Sequence, residues 1–374
     1  MAKKMFQIIG LIFLIVSQFS WGDSKNPSSP NISSDTIQAE PWLEADALFC
    51  SNPKWLGGDD AYSIDLGNER ILWLFGDSFI ATSDNNIRNE SVMVRNSVGI
   101  QSGYDPSTAS IQFYWNSQNS QPQSFFPQEN DIWFWPGHGI KLGDKLLILL
   151  MAIRSSQDDW FESAGWGAVM ISEPGKEPSE WQLEWLDSPA NNFNIVVGSG
   201  SVIQIEDYVY AFSSEEPRVH NIYLVRWPIS QAAAGNLSQL QWWTGNETGW
   251  VFQQNLDGKP MSVFSGGQTE FMVHYEPLLG QYLEIQTMGF GPADMAFRLA
   301  DHPTEPWTNP ERFYRPEEHN IKDIMIYAGK AHPHLTGADL ILTYATNYFD
   351  FGKLVNDESV YYPRFLKATI KQTQ

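Results

Sequence analysis

Short apolar runs, arranged in pairs around tight turns, make up most of the chain. The runs are rich in Val, Ile, Leu, Tyr and Phe, which favour half-buried antiparallel strands. Gly or acidic residues occupy the turns, as in LGNER, LGDK, IEDY, PLLGQ and LTGAD. Turns of this composition connect adjacent antiparallel strands. The pattern therefore predicts an all-β protein built from β-hairpins.

The strand–turn–strand unit recurs about five times, and each copy begins with a turn-rich approach to an apolar strand. The copies start at Asp60, His138, Gly200, Glu270 and His332. Spacings of 78, 62, 70 and 62 residues between these starts suit a four-stranded sheet with its loops, and are too long for a helical solenoid repeat. These spacings predict a five-bladed β-propeller whose opening residues surround one axial pocket.

The first 40 residues differ from the rest of the chain. Lys3 and Lys4 precede an apolar stretch from Met5 to Phe19, and small residues follow at Ser20 and Gly22. This is the pattern of a secretory signal peptide over residues 1–22, and it predicts a secreted or periplasmic protein. The stretch is shorter than the roughly 20 residues that a membrane helix needs, and no second one follows, so we expect no membrane span. Residues 23–40 are polar and rich in Ser and Pro, which predicts a disordered leader.

No low-complexity linker interrupts the remaining chain, so we interpret residues 41–374 as a single propeller domain. The formal net charge is −21. So acidic a surface repels phosphate backbones and other anionic polymers. Nucleic acid is therefore a poor candidate partner, whereas a neutral poly- or oligosaccharide is an acceptable one. Oligomeric state does not follow from the sequence.

Carboxylates at the hairpin starts are the candidate catalytic groups. An antiparallel return brings Asp77 close to the level of Asp60 in the first hairpin, with Asp59 beside them. Glu270 opens the fourth copy in the position that Asp60 holds in the first. Hydrolysis of a glycosidic bond uses one carboxyl group as proton donor and another as nucleophile or base. An isolated Asp more often caps a turn or pairs with an arginine, and the shared position of these residues is what favours catalysis.

Other polar and aromatic residues near the hairpin ends are candidates for sugar binding. His138 and His332 occupy equivalent positions in two copies, and Trp135 lies in an aromatic run just before His138. Of Glu215 and Glu216, at the end of the third hairpin, one is expected to face the pocket. The substrate-binding set is Asp59, Trp135, His138, Glu215, Arg218, His332 and Asn347. His332 and His334 lack a third metal ligand nearby, so we expect neither a metal nor a cofactor.

The segments WLGGDDAYSIDL, ILWLFGDSF, TEFMVHYEPLLGQYLEI and YYPRF resemble a secreted, largely uncharacterised propeller family related to five-bladed glycoside hydrolases. Some relatives of that family are endo-D-arabinanases. The resemblance spans about residues 45–370 and implies a glycan-directed site that uses Asp60 and Asp77. Related propellers place the acid glutamate on the third blade, whereas the third copy here opens with Gly-Ser-Gly-Ser, so Glu270 and Glu215 both remain candidate acids. Two functions remain open, a glycoside hydrolase and a non-catalytic glycan-binding propeller.

Overall fold

Antiparallel pairing organises the protein into five sheets of at least four strands and one small separate hairpin, in a computed structural model that describes residues 34–156, 161–217 and 219–371. The predicted signal peptide and residues 23–33 lie outside the described residues. In chain order the strands are β1 Ile37–Pro41, β2 Trp55–Gly67, β3 Arg70–Ala81, β4 Ser91–Val94, β5 Ser97–Ser102, β6 Ser110–Tyr114, β7 Asn116–Gln118, β8 Gln121–Gln123, β9 Ile132–Leu142, β10 Lys145–Arg154, β11 Glu162–Ile171, β12 Leu183–Trp185, β13 Ile195–Val196, β14 Val202–Ile205, β15 Tyr208–Glu215, β16 Ile222–Pro228, β17 Gln241–Trp243, β18 Trp250–Phe252, β19 Ser262–Phe264, β20 Met272–Glu276, β21 Gln281–Met288, β22 Asp294–Ala300, β23 Glu311–Tyr314, β24 Ile324–Ala331, β25 Leu340–Tyr348 and β26 Arg364–Ile370.

Helices are few and short. The α-helices are α1 Leu43–Asp46, α2 Ile229–Ala233 and α3 Phe351–Asn356. The 3₁₀ turns are Arg88–Glu90, Pro178–Glu180, Leu237–Gln239, Gln253–Asn255 and Glu317–Asn320. In the part of the chain that the structure describes, no helix has the length and apolar character needed to cross a bilayer.

Each sheet is a meander that begins with an inner strand. The first runs β2-β3-β5-β6 with β4 on β3, the second β9 to β12, the fourth β20 to β23, and the fifth β24-β25-β26-β1. In the third sheet β13 and β14 both pair with β15, β16 to β18 follow outward, and β19 pairs with β16. The inner strands β2, β9, β14, β20 and β24 contact one another in that order, and β24 contacts β2 again. The predicted all-β propeller fold is confirmed.

All five predicted hairpins are present, as β2–β3, β9–β10, β14–β15, β20–β21 and β24–β25. Turn residues in the left-handed region connect several of them, for example Gly67 with φ 78° and Gly143 with φ 65°. Glycine adopts this conformation without the steric cost that a Cβ atom brings. Local turn chemistry is therefore sufficient to define these units.

The two ends of the chain meet in the fifth sheet. There β26 pairs with β25, and the N-terminal strand β1 adds to the outer edge, with Ile37 opposite Ile370. The predicted leader over 23–40 is therefore wrong for Ile37–Glu40, which belong to this strand. Pairing with β26 satisfies a free sheet edge that would otherwise expose its backbone groups.

The hydrophobic core consists of separate layers between neighbouring sheets. One buried cluster lies between each adjacent pair, such as that of Leu72 and Ile148 between the first and second sheets. The other large clusters join the second to the third, third to fourth, fourth to fifth and fifth to first sheets. Large aromatic side chains fill these layers, including the fully buried Trp73 and Trp227. This packing fixes the inner strands around the axis and so positions the side chains at their ends.

Candidate active site

A cavity of about 100 Å³ lies where the inner strands begin. Four of the five sheets contribute residues to its wall. These residues include Trp135 of β9, Val196 of β13 and Tyr327 of β24. Phe161 and Pro217 border segments outside the described residues. Two of the three acidic residues of the described wall, Glu216 and Glu270, lie at the ends of the third and fourth sheets that face the axis. The predicted meeting of polar residues from different sheets at one axial pocket therefore includes Glu270.

Glu270 precedes β20 and is the one predicted catalytic residue that lines this cavity. Its side chain is 12% exposed, and its Oε2 lies 4.0 Å from the Lys330 ammonium. Burial raises the pKa of Glu270; Lys330 opposes this shift and the charge of Glu216 adds to it. A carboxyl group in these surroundings retains its proton to a higher pH than an exposed one and can act as a proton donor.

Glu216 follows β15 and has different surroundings. Its Oε1 accepts hydrogen bonds from the hydroxyls of Ser214, at 2.7 Å, and Thr269, at 2.6 Å. His220 Nδ1 lies 3.2 Å from the same oxygen. These donors suit an ionised carboxylate, which can only accept hydrogen bonds. The cavity therefore brings a carboxyl group with a raised pKa near a second one that is surrounded by donors.

Asp59, Asp60 and Asp77 from the first hairpin lie behind the wall of this cavity. The Tyr327 and Tyr361 hydroxyls donate to Asp59 Oδ2 at 2.7 and 3.1 Å. Burial, Asp77 and Glu270 raise the pKa of Asp59 well above its ordinary value, and the two tyrosines partly oppose this shift. The predicted proximity of Asp77 to Asp60 is also seen, since Asp60 pairs with Phe75 and Gly58 with Ser78 across β2 and β3.

Asp60 is held in a buried ion pair. Its side chain is 1% exposed, and Lys330 Nζ lies 2.7 Å from Oδ1 and donates to the Asp60 carbonyl oxygen at 2.8 Å. The carboxyl oxygens have no well-aligned hydrogen bond despite this short contact. Burial raises the pKa of Asp60 well above its ordinary value even though Lys330 opposes it. Asp60 does not line the cavity. Its position therefore does not favour the predicted direct role in catalysis.

Asp77 and Trp135 are hydrogen-bonded to each other. Trp135 Nε1 donates to Asp77 Oδ1 at 2.8 Å, and Arg95 lies 3.0 Å from Oδ2. Burial raises the pKa of Asp77, whereas Arg95 and the indole N–H lower it. Trp135 lies within β9, where its indole forms part of the cavity wall and also orients a carboxylate.

Two β-bulges determine how these side chains are oriented. In β2 the pairing register shifts on both sides of Asp60, and Asp60 and Ala61 have φ angles of 71° and 63°. In β24 it shifts between Tyr327 and Lys330, where Ala328 has a φ of 54°. Left-handed backbone at non-glycine residues is costly and is found most often at functional sites. The two bulges face each other across the Asp60–Lys330 pair.

Several predicted binding residues do not reach this cavity. Glu215 faces Lys259 and the Tyr223 hydroxyl, and of the two adjacent glutamates it is Glu216 that lines the cavity. Asn347 lies behind Tyr327, to whose hydroxyl its amide donates at 3.4 Å. Arg218 lies outside the described residues.

His138 and His332 have structural contacts at both ring nitrogens. Val202 N–H donates to His138 Nδ1 at 2.9 Å, and Nε2 donates to Ser63 O at 3.2 Å. His332 contacts the hydroxyls of Ser63 and Thr343 at 2.7 and 2.8 Å. Burial lowers the pKa of His138 to about 4 and that of His332 well below its usual value. Both imidazoles are therefore neutral and hydrogen-bonded between strands, and neither lines this cavity.

Lys330, Tyr327 and Tyr361 are the site residues that the sequence analysis missed. Lys330 is the only charged residue in the apolar strand IMIYAGKA, and an unpaired lysine in such a strand is a signal for a buried acidic partner. The two tyrosines carry no such signal, because aromatic residues are common throughout the chain. Among the described residues, no group of three or more His, Cys, Asp or Glu side chains has the arrangement of a metal site.

Comparison with known proteins agrees with this architecture. Over residues 43–369 the sequence matches the family described as "Domain of unknown function (DUF5005)", and the chain belongs to that family. No curated protein matches it. A structure described as a candidate hydrolase from Bacteroides ovatus superposes with a TM-score of 0.70 at 19% identity, covering 89% of this chain and 90% of that one. This similarity shows a shared fold.

Glycan-acting enzymes are among the more distant structural neighbours. An endo-arabinase from Bacteroides thetaiotaomicron has a TM-score of 0.48 at 11% identity, covering 85% of this chain and 96% of its own. An α-L-arabinofuranosidase from Podospora anserina, solved with cellotriose, has a TM-score of 0.47 at 11% identity, covering 90% and 98%.

Proposed function

We propose that this member of the family is a glycoside hydrolase that acts on a neutral poly- or oligosaccharide at the cavity between Glu216 and Glu270. The observation that carries the proposal is the meeting of five carboxyl groups from three sheets in one buried network, with two of them on a cavity wall. Such groups do not ionise independently, because each charge disfavours the next. The network therefore holds both a proton and negative charge beside one cavity, as glycosidic hydrolysis requires.

Glu270 is the proposed proton donor to the leaving oxygen. Glu216 is the proposed second group, which either attacks the anomeric carbon or activates a water molecule. Positive charge develops on the sugar ring in the oxocarbenium-like transition state. Negative charge that the carboxyl network keeps behind the cavity wall would stabilise that charge more than it stabilises the neutral substrate. Asp60 contributes through Lys330, whose position it fixes.

A neutral substrate fits the charges around the cavity. Its described wall contains Glu162, Glu216 and Glu270 and no lysine or arginine. The carboxylates of this wall would repel an anionic sugar, and the net charge of −21 acts in the same sense over longer distances. Trp135 and Phe161 supply aromatic surface against which a sugar ring can pack.

Two further expectations belong to this proposal. Each of the five sheets is taken as one blade of a five-bladed ring. The chain is taken to be exported after removal of residues 1–22, with the mature protein in the periplasm or outside the cell. N-terminal sequencing of protein recovered from the extracytoplasmic fraction tests export, and a first residue of Met1 would contradict it.

The experiment that tests the proposed function is an assay of new reducing ends with purified protein on arabinan, galactan, xylan and β-glucan, with polygalacturonate as the anionic comparison. We expect release from a neutral polymer and at least a ~100-fold loss in Glu270→Gln, the usual contribution of general acid catalysis. Binding to a glycan without any release would instead favour a non-catalytic glycan-binding propeller.

A further inference from the structure

A second and larger cavity lies at the opposite end of the same inner strands. Its volume is about 810 Å³, within the range typical of ligand pockets. The strands β2 and β9, which contain Asp59 and Trp135, and β20, which follows Glu270, continue to Asp65, Lys141 and Glu276, which line this second cavity. All five sheets contribute to its wall. None of the carboxyl groups assigned above to catalysis lines it.

The edge of this cavity has an exposed aromatic surface. Tyr275 is 51% exposed, although large apolar rings are ordinarily buried. Tyr282 supports it from the adjacent strand in an edge-on contact, with ring centroids 5.4 Å apart. A ring that is held from one side and open on the other is the surface on which a sugar ring stacks.

Hydrogen-bonding groups lie next to this aromatic surface. Glu276 is oriented by the Leu278 N–H, at 2.9 Å, and by His274 Nε2, at 3.2 Å. The buried Nδ1 of His274 has no hydrogen-bond partner among the described residues. Asp65 and Asp339 add acceptors, and the Lys141 ammonium is already bound to the Leu66 carbonyl at 2.7 Å. Acceptors beside a stacking ring suit the hydroxyls and apolar faces of a neutral sugar.

We propose that this far cavity is a second, non-catalytic binding site for a neutral oligosaccharide chain, with Tyr275 as its stacking surface. The choice of a sugar as ligand rests on the proposed function. Because the two cavities lie at opposite ends of the axis, one glycan segment can be held at the far cavity while a different segment reaches Glu216 and Glu270. The site would therefore increase retention on polymers and leave the cleavage of short substrates unchanged.

Affinity gel electrophoresis of the Glu270→Gln protein in gels that contain arabinan, xylan or β-glucan tests this site without degradation of the polymer. We expect retardation in at least one gel, weakened about tenfold in dissociation constant by Tyr275→Ala, which corresponds to one stacking contact. Tyr275→Phe keeps the ring and should restore retardation. Leu43→Ala, which removes an exposed apolar side chain on α1, is the surface control and should change nothing.

Retardation in none of the three gels, or equal retardation of the Tyr275→Ala protein, would overturn the proposal. Circular dichroism of each variant excludes misfolding as the cause of a loss. Failure of the proposed function gives a different result, because a protein that releases no reducing ends can still show retardation that depends on Tyr275. Conversely, a wild-type enzyme that cleaves short oligosaccharides but is not retarded would retain the proposed function and lose the second site.

Discussion

Glu216 and Glu270 face the same cavity from opposite electrostatic surroundings. Glu216 has hydroxyl donors at 2.6 and 2.7 Å, whereas the described surroundings of Glu270 provide an ammonium at 4.0 Å and a neighbouring negative charge. Surroundings that differ in this way separate the roles of two chemically similar groups, one as base and one as acid.

The Glu270→Gln change should therefore affect substrates according to their leaving group. A natural glycoside needs protonation of its leaving oxygen, whereas an activated aryl glycoside needs little. We expect kcat/KM to fall by ~100-fold or more on the natural linkage and much less on the aryl substrate. Steady-state kinetics on both substrates measure this difference. Equal slowing would assign Glu270 to binding and leave Glu216 as the next candidate acid.

Unfolding free energy should also report the raised pKa of Glu270. Its folded pKa lies above the unfolded value, so the folded state keeps the proton longer and the contribution of Glu270 to stability falls as pH rises from about 4.5 through the folded pKa. Glu270→Gln removes this loss. We expect the variant to gain stability relative to the wild type with increasing pH, measured by urea unfolding at pH 4, 6 and 8. A difference that is constant over this range would contradict the raised pKa.

The first hairpin is the element that builds the acidic network. Its bulge at Asp60 and Ala61 places two adjacent carboxyl groups below the cavity, and the return strand adds Asp77. Gly76 provides the necessary space, because a Cβ atom there would lie 2.5 Å from Asp59 Oδ1. The Phe-Gly-Asp-Ser segment therefore supplies the Asp77 carboxyl group and, at Gly76, the space next to the Asp59 carboxyl group.

Gly76→Ala tests this arrangement. The added methyl group would displace the Asp59 carboxyl group from its two tyrosines, and a shift of about 1 Å in such a group can cost ~100-fold in rate. We expect kcat to fall by roughly that factor in the reducing-end assay while far-UV circular dichroism stays unchanged. Gly175→Ala is the matched control, since nothing lies within 4 Å of the Cβ it would add. Full activity of Gly76→Ala would show that the position of Asp59 does not matter.

Closure of the ring by β1 is the feature that joins the two ends of the molecule. Five residues of β1 pair with β26, and the fully buried Ile37 packs in the layer between the fourth and fifth sheets. Burial of such a side chain contributes about 2 kcal/mol. The first described segment therefore stabilises the last sheet, although some 330 residues separate their pairing positions.

A chain that begins at Trp42 should consequently be less stable than one that begins at Ser34. We expect a Tm lower by about 4 °C or more, given roughly 2 °C per kcal/mol for a protein of this size. Differential scanning calorimetry measures the change. Glu40→Ala is the control within the same strand, because Glu40 is exposed and its ion pair with Lys367 lies at the surface. Equal melting temperatures for the two chain lengths would show that closure through β1 adds no stability.

Local pattern was sufficient for the hairpins and for the candidate carboxylates at their ends. Turn residues such as Gly67 and Gly143 act on their immediate neighbours, so the five β-hairpins follow from short segments. Asp59, Asp60, Asp77 and Glu270 all meet in one network, because equivalent positions in repeated hairpins converge on one axis. The sequence did not show which of Glu215 and Glu216 lines the cavity. The direction in which the strand end turns decides which of two adjacent side chains faces inward.

The amino-acid order thus establishes the strands, their turns and the end of the propeller where acidic residues collect. The hydrogen-bond and ion-pair partners of these residues, and the pKa values that follow from them, depend on the folded ring. Lys330 reaches Asp60 across 270 positions and Tyr327 reaches Asp59 across 268, and no local pattern encodes such a pairing. The same folding separated His138 and His332 from the cavity that their equivalent positions suggested. Burial and the charges of distant neighbours set the pKa of a carboxyl group, and both arise from contacts between sheets that only the closed ring creates.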